Sequence, residues 1–408
     1  MDHGHEEMCW RGEATNRVLN RRSDALSSLE TESVSLDDIG GRTLAEPIVA
    51  EHDVPEHDRA TMDGYAFDAT EDYPLRLTDE EVFPEDEPPS IEVGEAVAIA
   101  TGAPLPPEAN AVLKREESSI EDGLLRGEPL EPGTYTYERG SNLSAGETLF
   151  ERGERLSPKD AILLGDLGRE TVPVYERFST GLLATGTEIH EGRIADLDSD
   201  MLAGLVRSWG HTATYEGSVP DDYDRVEAAI DRLAREYDVV VTTGGTSVGH
   251  KDHVIRALDS LGTVSFHRVR IRPGKPIAMA TLPDRDAVAF AIPGKPIGAH
   301  TISTFVMRPF FTGETPHPTV DATMTHDVEL GPDGFEYVIP VLLEESDDGY
   351  EATGLGYADS PLSVYDRQFD PSVLSSSTRA SNADGVVLTE SPLEKGAPVS
   401  VVPYSVLE

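Results

Sequence analysis

Four short segments carry residue types suited to holding anions. In TTGGTSVGHKD (residues 242–252), Gly244, Gly245 and Gly249 stand beside the hydroxyls of Thr246 and Ser247. Glycine lets the main chain approach an anion closely and reach positive φ, and successive N–H groups can form a nest for phosphate. The loop lacks the GKS or GKT of a Walker A sequence and is not a GxGxxG fingerprint, so taken alone an ordinary strand-to-helix turn explains it equally well. HRVRIRPGK gathers Arg268, Arg270, Arg272 and Lys275 with no acid among them. Period-2 spacing puts the three arginines on one face of a strand, to be paired by surface carboxylates or by an anionic ligand. A matching turn, Pro293-Gly294-Lys295, favours the ligand, because two Pro-Gly-Lys turns at strand ends could clamp one anion. Asp63 in RATMDGYA, Glu188 in ATGTE and Asp252 in GHKD sit in turn-like contexts, where Asp commonly serves as a turn or cap residue. Beside a phosphate such acids would hold Mg²⁺, which takes one or two carboxylates plus phosphate oxygens and water. With no nucleophile elbow, HExxH or cysteine-based metal motif, anion chemistry with Mg²⁺ is what remains.

The elements around these segments predict how they are positioned. From residue 176 to about 316, apolar strands (FSTGLLATG, HTATYEGSV, DVVVTTGG, VSFHRVRI, IAMATL, AVAFAI) alternate with amphipathic helices such as DYDRVEAAIDRLAREY and IGAHTISTFVMRPF. That alternation means a doubly wound, mostly parallel α/β sheet covered on both faces, with ligands at the carboxyl ends of its strands. Upstream, residues 14–30 predict a polar helix. Residues 47–144 predict a β-rich unit of short strands between Pro and Gly turns, including PLRLT, AVAIATG, AVLKREE and GTYTYERG. SPKDAILLGDLGR (157–169) predicts a helix with Ser157 as N-cap and Pro158 at its first position. From 318 onward strand signals return (EYVIPVLLEE, GVVLTE, PVSVVPYSVL), predicting a small β-barrel or sandwich.

Composition narrows the classes of function. The chain has 408 residues, 33 Lys+Arg against 76 Asp+Glu and a formal charge of −43. Such charge repels phosphate backbones and anionic lipid, which excludes nucleic acid and membrane surfaces as partners. It is spread along the chain among regular apolar segments, which fits a folded protein from a high-salt cytoplasm, where salt screens self-repulsion. No apolar run reaches the ~18 residues of a membrane span, and the start, MDHGHEEMCWRGE, lacks the charged and apolar regions of a secretory signal. A cytoplasmic protein is expected. The polar start, with His3, His5 and the single Cys9, reads as unstructured rather than as a metal site.

Together the motifs resemble one family, the molybdopterin molybdenumtransferases: the MoeA proteins and the E domain of gephyrin. The matching stretches are DRATMDGYAF, TGAPLPPEANAVLKREE, LSAGETLFERGERLSP, TGTEI, DSDML, TTGGTSVGHKD, IRPGKPIAM and IPGKPIGA, in the family's order over nearly the full chain. The resemblance implies molybdenum cofactor assembly, in which adenylylated molybdopterin loses AMP in a molybdate- and Mg²⁺-dependent reaction. It implies a homodimer with a discontinuous N-terminal domain (1–46 and 145–175), an inserted β-rich domain (47–144), a molybdopterin-binding α/β domain (176–316) and a C-terminal barrel (317–408). It further implies an active cleft between the α/β domain of one subunit and the β-rich domain of the other. A molybdopterin adenylyltransferase is the implied upstream partner. By the same resemblance Asp63, Thr101, Glu188 and Asp252 would contact Mg²⁺ or molybdate, Gly244, Gly245, Ser247 and Gly249 would cradle the pterin phosphate, and Arg272 and Lys275 would neutralise it. The chain departs from the family at Asn142, His250 and Lys295, and lacks a basic residue near Ile339. These departures make the site more positive and leave two alternatives open: a changed anion preference, for example tungstate, or a non-catalytic molybdopterin-binding or scaffold relative.

Overall fold

The computed structural model describes residues 8–245, 252–315, 317–347 and 349–408. The chain forms two compact units, one of Met1–Ala45, Gly153–Pro158 and Pro173–Glu408, the other of Glu46–Arg152 and Lys159–Val172.

The first unit holds the α/β sheet. Its six strands run in the order Thr212–Val219, Ser179–Thr185, Val239–Thr243, Ala287–Ile292, Ala278–Leu282, Thr263–His267. The first four are parallel, Ala278–Leu282 runs antiparallel to them, and Thr263–His267, antiparallel to Ala278–Leu282, runs with them again. Alternate residues of the central strands enter different cores. Leu182, Val239, Val241, Val288 and Phe290 pack with Val18 of the helix Arg11–Leu26, Val206 of the helix Ser199–Ser208, and Phe305 and Phe310. Leu183, Val240, Ala289 and Ala291 pack on the opposite face with Val226 and Ile230 of Tyr223–Leu233 and with Val254 and Leu258 of His253–Leu261. Because both faces are covered, the central strands read as continuous apolar runs rather than alternating ones.

Phe310 is wedged between Phe178, at 4.9 Å between ring centroids, and Phe290, at 5.7 Å. It lies on the chain's last long helical stretch, where Pro296–Ile302 passes through a π turn, Ser303–Met307, into Arg308–Thr312 and stops at Gly313 (φ +76). Gly313 supplies the left-handed residue that closes a helix.

The C-terminal strands of the same unit form a closed barrel. Glu336–Ser346 pairs with both Gly349–Gly354 and Gly385–Thr389, and Val320–Met324 and Pro398–Pro403 complete the circuit. Ile271–Arg272 adds to it as a short parallel strand beside Glu336 and Tyr337. Ile339 is buried in the barrel interior among Val341, Ala352 and Phe369, so that position faces core and not ligand.

The second unit is built on a six-stranded sheet in the order Ala111–Lys114, Gly64–Phe67, Glu95–Ile99, Leu75–Val82, Leu124–Arg126, Ser119–Glu121. The expected β-rich character holds, although GTYTYERG contributes only Thr136–Tyr137.

Three local expectations are corrected. The helix expected from Ser157 begins at Asp160, with Lys159 as N-cap. Pro158 lies within 3.3 Å of where a Gly40 side chain would begin and is held in the first unit, whereas the helix belongs to the second. VSFHRVRI is not one strand. Thr263–His267 ends, Arg268 turns into the left-handed region (φ 71), and Ile271–Arg272 joins the barrel, so the three arginines do not share a strand face. Cys9 is buried and not in a loose start: its N–H reaches the Arg268 carbonyl at 3.4 Å, and its own carbonyl accepts from Arg270 N at 2.8 Å. His3 and His5 lie outside the described residues. Among the described residues, no helix is long and apolar enough to cross a membrane.

Phe310 joins the aromatic cluster to the sheet, and truncating a buried Phe leaves a cavity costing about 3–5 kcal/mol. Phe310→Ala is expected to lower unfolding stability by that amount, measured from the urea midpoint at constant slope.

Candidate anion-binding site

Four loops meet at the carboxyl ends of the parallel strands, and they meet because glycines let them. Gly244 (φ +84) and Gly245 (φ +64) leave the strand Val239–Thr243 in a conformation that disfavours side chains. A Cβ on Gly245 would lie 2.7 Å from Val254 and 2.8 Å from the Thr185 hydroxyl. Gly294, leaving Ala287–Ile292, has room for a Cβ only 3.1 Å from the Gly244 Cα. Gly274 (φ +105), in the RPGKP turn, approaches the Gly298 carbonyl to within 3.0 Å of the same hypothetical atom. The RPGKP turn therefore packs on Pro296–Ile302, the helix that the second Pro-Gly-Lys turn leads into, and both turns line one cleft.

They form one wall of a cleft of about 310 Å³, whose other wall is the barrel's short helix Pro371–Leu374 with Ser372 and Ser375. Arg272, Lys275, Pro293 and Lys295 line it. The Arg272 guanidinium stacks over the Phe335 ring at 4.1 Å, which fixes its plane while leaving its edge donors available. Burial, with Arg268 and Arg272 nearby, pushes the Lys275 pKa down. Such a desolvated cation gains by meeting an anion. Lys295 Nζ donates to the Ser372 carbonyl at 3.1 Å, bridging the two walls. Arg270 faces elsewhere, donating to the Met8 and Gly334 carbonyls and stacking on Trp10.

The acids divide by environment. Asp252 caps the helix His253–Leu261, accepting from Ile255 N at 3.4 Å, and burial raises its pKa to about 6 against the opposing pull of Arg268 and His253. Glu188 lies on the short helix Thr187–His190, its Oε1 3.2 Å from where a Gly186 Cβ would stand, one strand over. Asp63 and Thr101 belong to the second unit. There Asp63 Oδ1 accepts from both the Thr101 hydroxyl and the Thr101 N–H at 2.7 Å, and these bonds hold its pKa below the ordinary carboxylate value. Thr101 thus orients Asp63. Among the described residues no three His, Cys, Asp or Glu side chains converge as a metal site. Ser247, Gly249 and His250 lie outside the described residues.

The second unit has a larger cleft, about 690 Å³, where Asn142 Nδ2 donates to Asp166 at 2.9 Å. Glu51, Asp53, Glu56 and Asp166 outnumber Arg59 and Arg169 on its wall, so a phosphate is better matched by the smaller, cationic cleft.

One functional candidate escaped the sequence reading. Asp198, first residue of DSDML, is 5% exposed. Its Oδ2 accepts from Thr243 Oγ1 at 2.9 Å and lies 4.0 Å from the Gly294 Cβ position, while its Oδ1 has no partner among the described residues. Burial raises its pKa to about 6, with Asp196 adding to the rise and the Thr243 bond opposing it. The motif was visible, but a lone Asp before a helix reads as a cap, and only the fold brings it under the glycine turns. Phe335 and Ser372 were likewise unreadable as site residues, because the barrel carries them to the cleft from distant sequence.

A doubly wound domain with a cationic cleft at its strand ends, joined to a β-rich unit and a barrel, defines a class of anion-handling multidomain proteins. Comparison with known proteins gives the family. The family model "MoeA N-terminal region (domain I and II)" matches residues 12–168, and "Probable molybdopterin binding domain" matches 181–313. The molybdopterin molybdenumtransferase of Synechococcus elongatus is 31% identical over 301 residues, 69% of this chain and 75% of that protein. The Bacillus subtilis molybdopterin molybdenumtransferase is 29% identical over 370 residues, 84% of each. The crystal structure of a molybdopterin biosynthesis MoeA protein from Pyrococcus horikosii superposes with a TM-score of 0.71 at 28% identity, covering 98% of this chain and 99% of that one. The chain belongs to the MoeA family of molybdopterin molybdenumtransferases, a family of enzymes.

Asp198 yields a pH prediction. Its folded pKa, about 6, exceeds the unfolded value of 3.8, so between those pH values the folded state holds a proton that the unfolded state releases. Stability is therefore lost as pH rises through this window, and the loss is complete above it. Asp198→Asn keeps an acceptor for Thr243 without the charge. The variant is expected to gain on wild type between pH 4 and pH 7, by at most about 3 kcal/mol for a shift of about two units, measured by urea unfolding across that range.

Proposed function

We propose that this protein performs the metal-inserting step of molybdenum cofactor biosynthesis, taking adenylylated molybdopterin and molybdate and releasing AMP. The observation that carries the reading is the convergence of Arg272, Lys275 and Lys295 on one cleft beside the glycine turns of Gly244, Gly245 and Gly294. The reaction cleaves a phosphoanhydride and handles an oxyanion, so positioning and charge neutralisation are what it asks of a protein. The planar fork of Arg272 would hold two oxygens of a phosphate or of molybdate, and Lys275 would bring a point charge to the same group. The main-chain N–H of Gly245 would cradle the pterin phosphate, together with Ser247 and Gly249 as the family resemblance implies, while Gly244, whose own N–H donates to the Ile292 carbonyl at 3.0 Å, would shape the turn.

Mg²⁺ fits the acids of this chain on chemical grounds. Asp252 is half-buried with its pKa raised to about 6, and Asp198 has a buried carboxylate oxygen without a partner, so a hard cation nearby would relieve both. Asp252 and Glu188 would hold the ion, and, as the family resemblance implies, the Asp63 that completes the set, oriented by Thr101, would come from the other subunit of the dimer. When bound, Mg²⁺ supplies neutralisation of charge on the phosphates and the departing AMP.

We further read the protein as a homodimer served by a molybdopterin adenylyltransferase, with the four-domain division given above. The extra cation at Lys295 is the support for a cleft that also takes tungstate, which carries the same charge as molybdate. We read the acidity as a high-salt adaptation. Among the described residues only Glu95 and Asp198 are buried acids, so the carboxylates crowd a surface that salt must screen.

Incubation of the protein in concentrated KCl with Mg²⁺ and adenylylated molybdopterin, with molybdate or tungstate in turn, is expected to release AMP only when an oxyanion is present. Lys275→Ala is expected to slow that release about 10²–10³-fold, the cost of removing one aligned donor. Pterin binding without AMP release from wild type would instead indicate a non-catalytic relative. On desalting, circular dichroism and sedimentation are expected to show partial unfolding or loss of the dimer, and unchanged traces would sink the high-salt reading.

A further inference from the structure

Away from the cleft, three arginines gather inside the first unit with too little negative charge to match them. Arg22 lies on the helix Arg11–Leu26, Arg155 on the segment Gly153–Pro158, and Arg308 at the start of the helix Arg308–Thr312. Glu314 joins two of them: its Oε2 accepts from Arg308 Nη2 at 2.8 Å, and its Oε1 stands 3.9 Å from Arg155 Nη1. The chain bends at Gly313 so closely that a Cβ there would meet the Arg22 guanidinium carbon at 3.0 Å. Arg22 reaches only neutral acceptors, the Gly153 carbonyl and the Thr43 hydroxyl, both at 3.2 Å.

Glu314 thus serves two of the three guanidiniums. Arg22 is 5% and Arg308 7% exposed, whereas the side chains of Arg155 and Glu314 are 24% and 44% exposed. Among the described residues, four of these guanidinium nitrogens find no acceptor: Nε of Arg22, Nε of Arg155, and both Nε and Nη1 of Arg308. A buried cation without a matching anion is among the costlier arrangements a fold can hold, and an orphaned donor adds to the cost. In a chain with 76 acids to 33 bases, an unmatched cationic cluster has no explanation in composition.

Neighbouring groups feel the same field. Burial drives the His211 pKa down to about 3, with Arg22, Arg155 and Arg177 pushing the same way, and burial with Arg308 and Arg11 takes His317 to about 4. Neither imidazole adds to the positive charge at neutral pH. Arg177, the next cation outward, already has Asp38 at 3.8 Å and the Gly210 carbonyl at 2.9 Å.

We propose that Arg22, Arg155 and Arg308 form a binding site for a small inorganic anion, chloride, which pins the N-terminal helix, the returning segment 153–158 and the last α/β helix to one another. The burial of Arg22 and Arg308 favours the ion that sheds water most cheaply, and chloride is less strongly hydrated than fluoride, sulfate or phosphate. The site is separate from the substrate cleft and independent of the reaction proposed above.

The test uses the full-length protein. Crystals grown in bromide are expected to show an anomalous peak in contact with the guanidiniums of Arg22, Arg155 and Arg308. Replacing glutamate by chloride at constant potassium concentration is expected to raise Tm along a saturating curve, by about 2–4 °C. Arg308→Met is expected to abolish both peak and saturating rise. No bromide peak at the cluster, or a Tm that changes only in proportion to chloride, overturns the proposal. If Arg308→Met does not fold, the wild-type bromide map decides alone.

Discussion

The site rests on backbone approaching backbone. Gly294 stands over Gly244, and Gly274 over the Gly298 carbonyl, at separations that leave no room for a side chain. Those approaches bring loops from different strands into one cluster, and the cations and acids then follow from where each loop ends. A methyl group at Gly245 would push on Thr185 and Val254 together, that is, on the neighbouring strand end and on the helix that Asp252 caps. Side-chain chemistry in this protein is thus subordinate to main-chain packing. The charged residues could be exchanged with the loops intact, but not the reverse.

Charge is the second organising constraint. The acids are spread over the surface, where water and salt screen them, while two groups of cations stand where screening is weaker: the cleft around Lys275 and the cluster around Arg308. In the cleft the pressure works toward ligand binding, because Lys275, Arg268 and Arg272 disfavour one another until an anion joins them. Asp252 and Asp198 show the converse, carboxylates raised toward neutrality by burial and poised to gain from a cation. Opposite frustrations beside one set of loops suit a reaction whose participants are an oxyanion, a phosphate and a divalent ion.

Much of this was legible in the sequence, for identifiable reasons. The parallel sheet announced itself because strands such as VVVTT and AVAFAI are buried on both faces and need no polar alternation. The Gly and Pro-Gly-Lys loops were legible because only turns at strand ends require that composition. The reading failed where a local pattern had two continuations. Arg268, Arg270 and Arg272 have strand periodicity, yet the chain breaks at Arg268 and hands Ile271 and Arg272 to the barrel. Ser157 and Pro158 look like a helix start, but packing on Gly40 takes them, and the helix waits for Asp160.

The barrel shows why the remainder could not be read. Phe335 and Ser372 lie at least 60 residues beyond Lys275 in sequence and outside any motif read there, yet one fixes the plane of Arg272 and the main-chain carbonyl of the other receives Lys295. Their part in the site exists only because Ile271–Arg272 pairs with Glu336 and Tyr337, which draws the RPGKP turn against the barrel. The cleft's second wall is therefore a consequence of that short strand pairing. It also gives Lys295 a role beyond its charge: its long stem spans to the Ser372 carbonyl, so the lysine joins the two walls as well as lining the cleft between them.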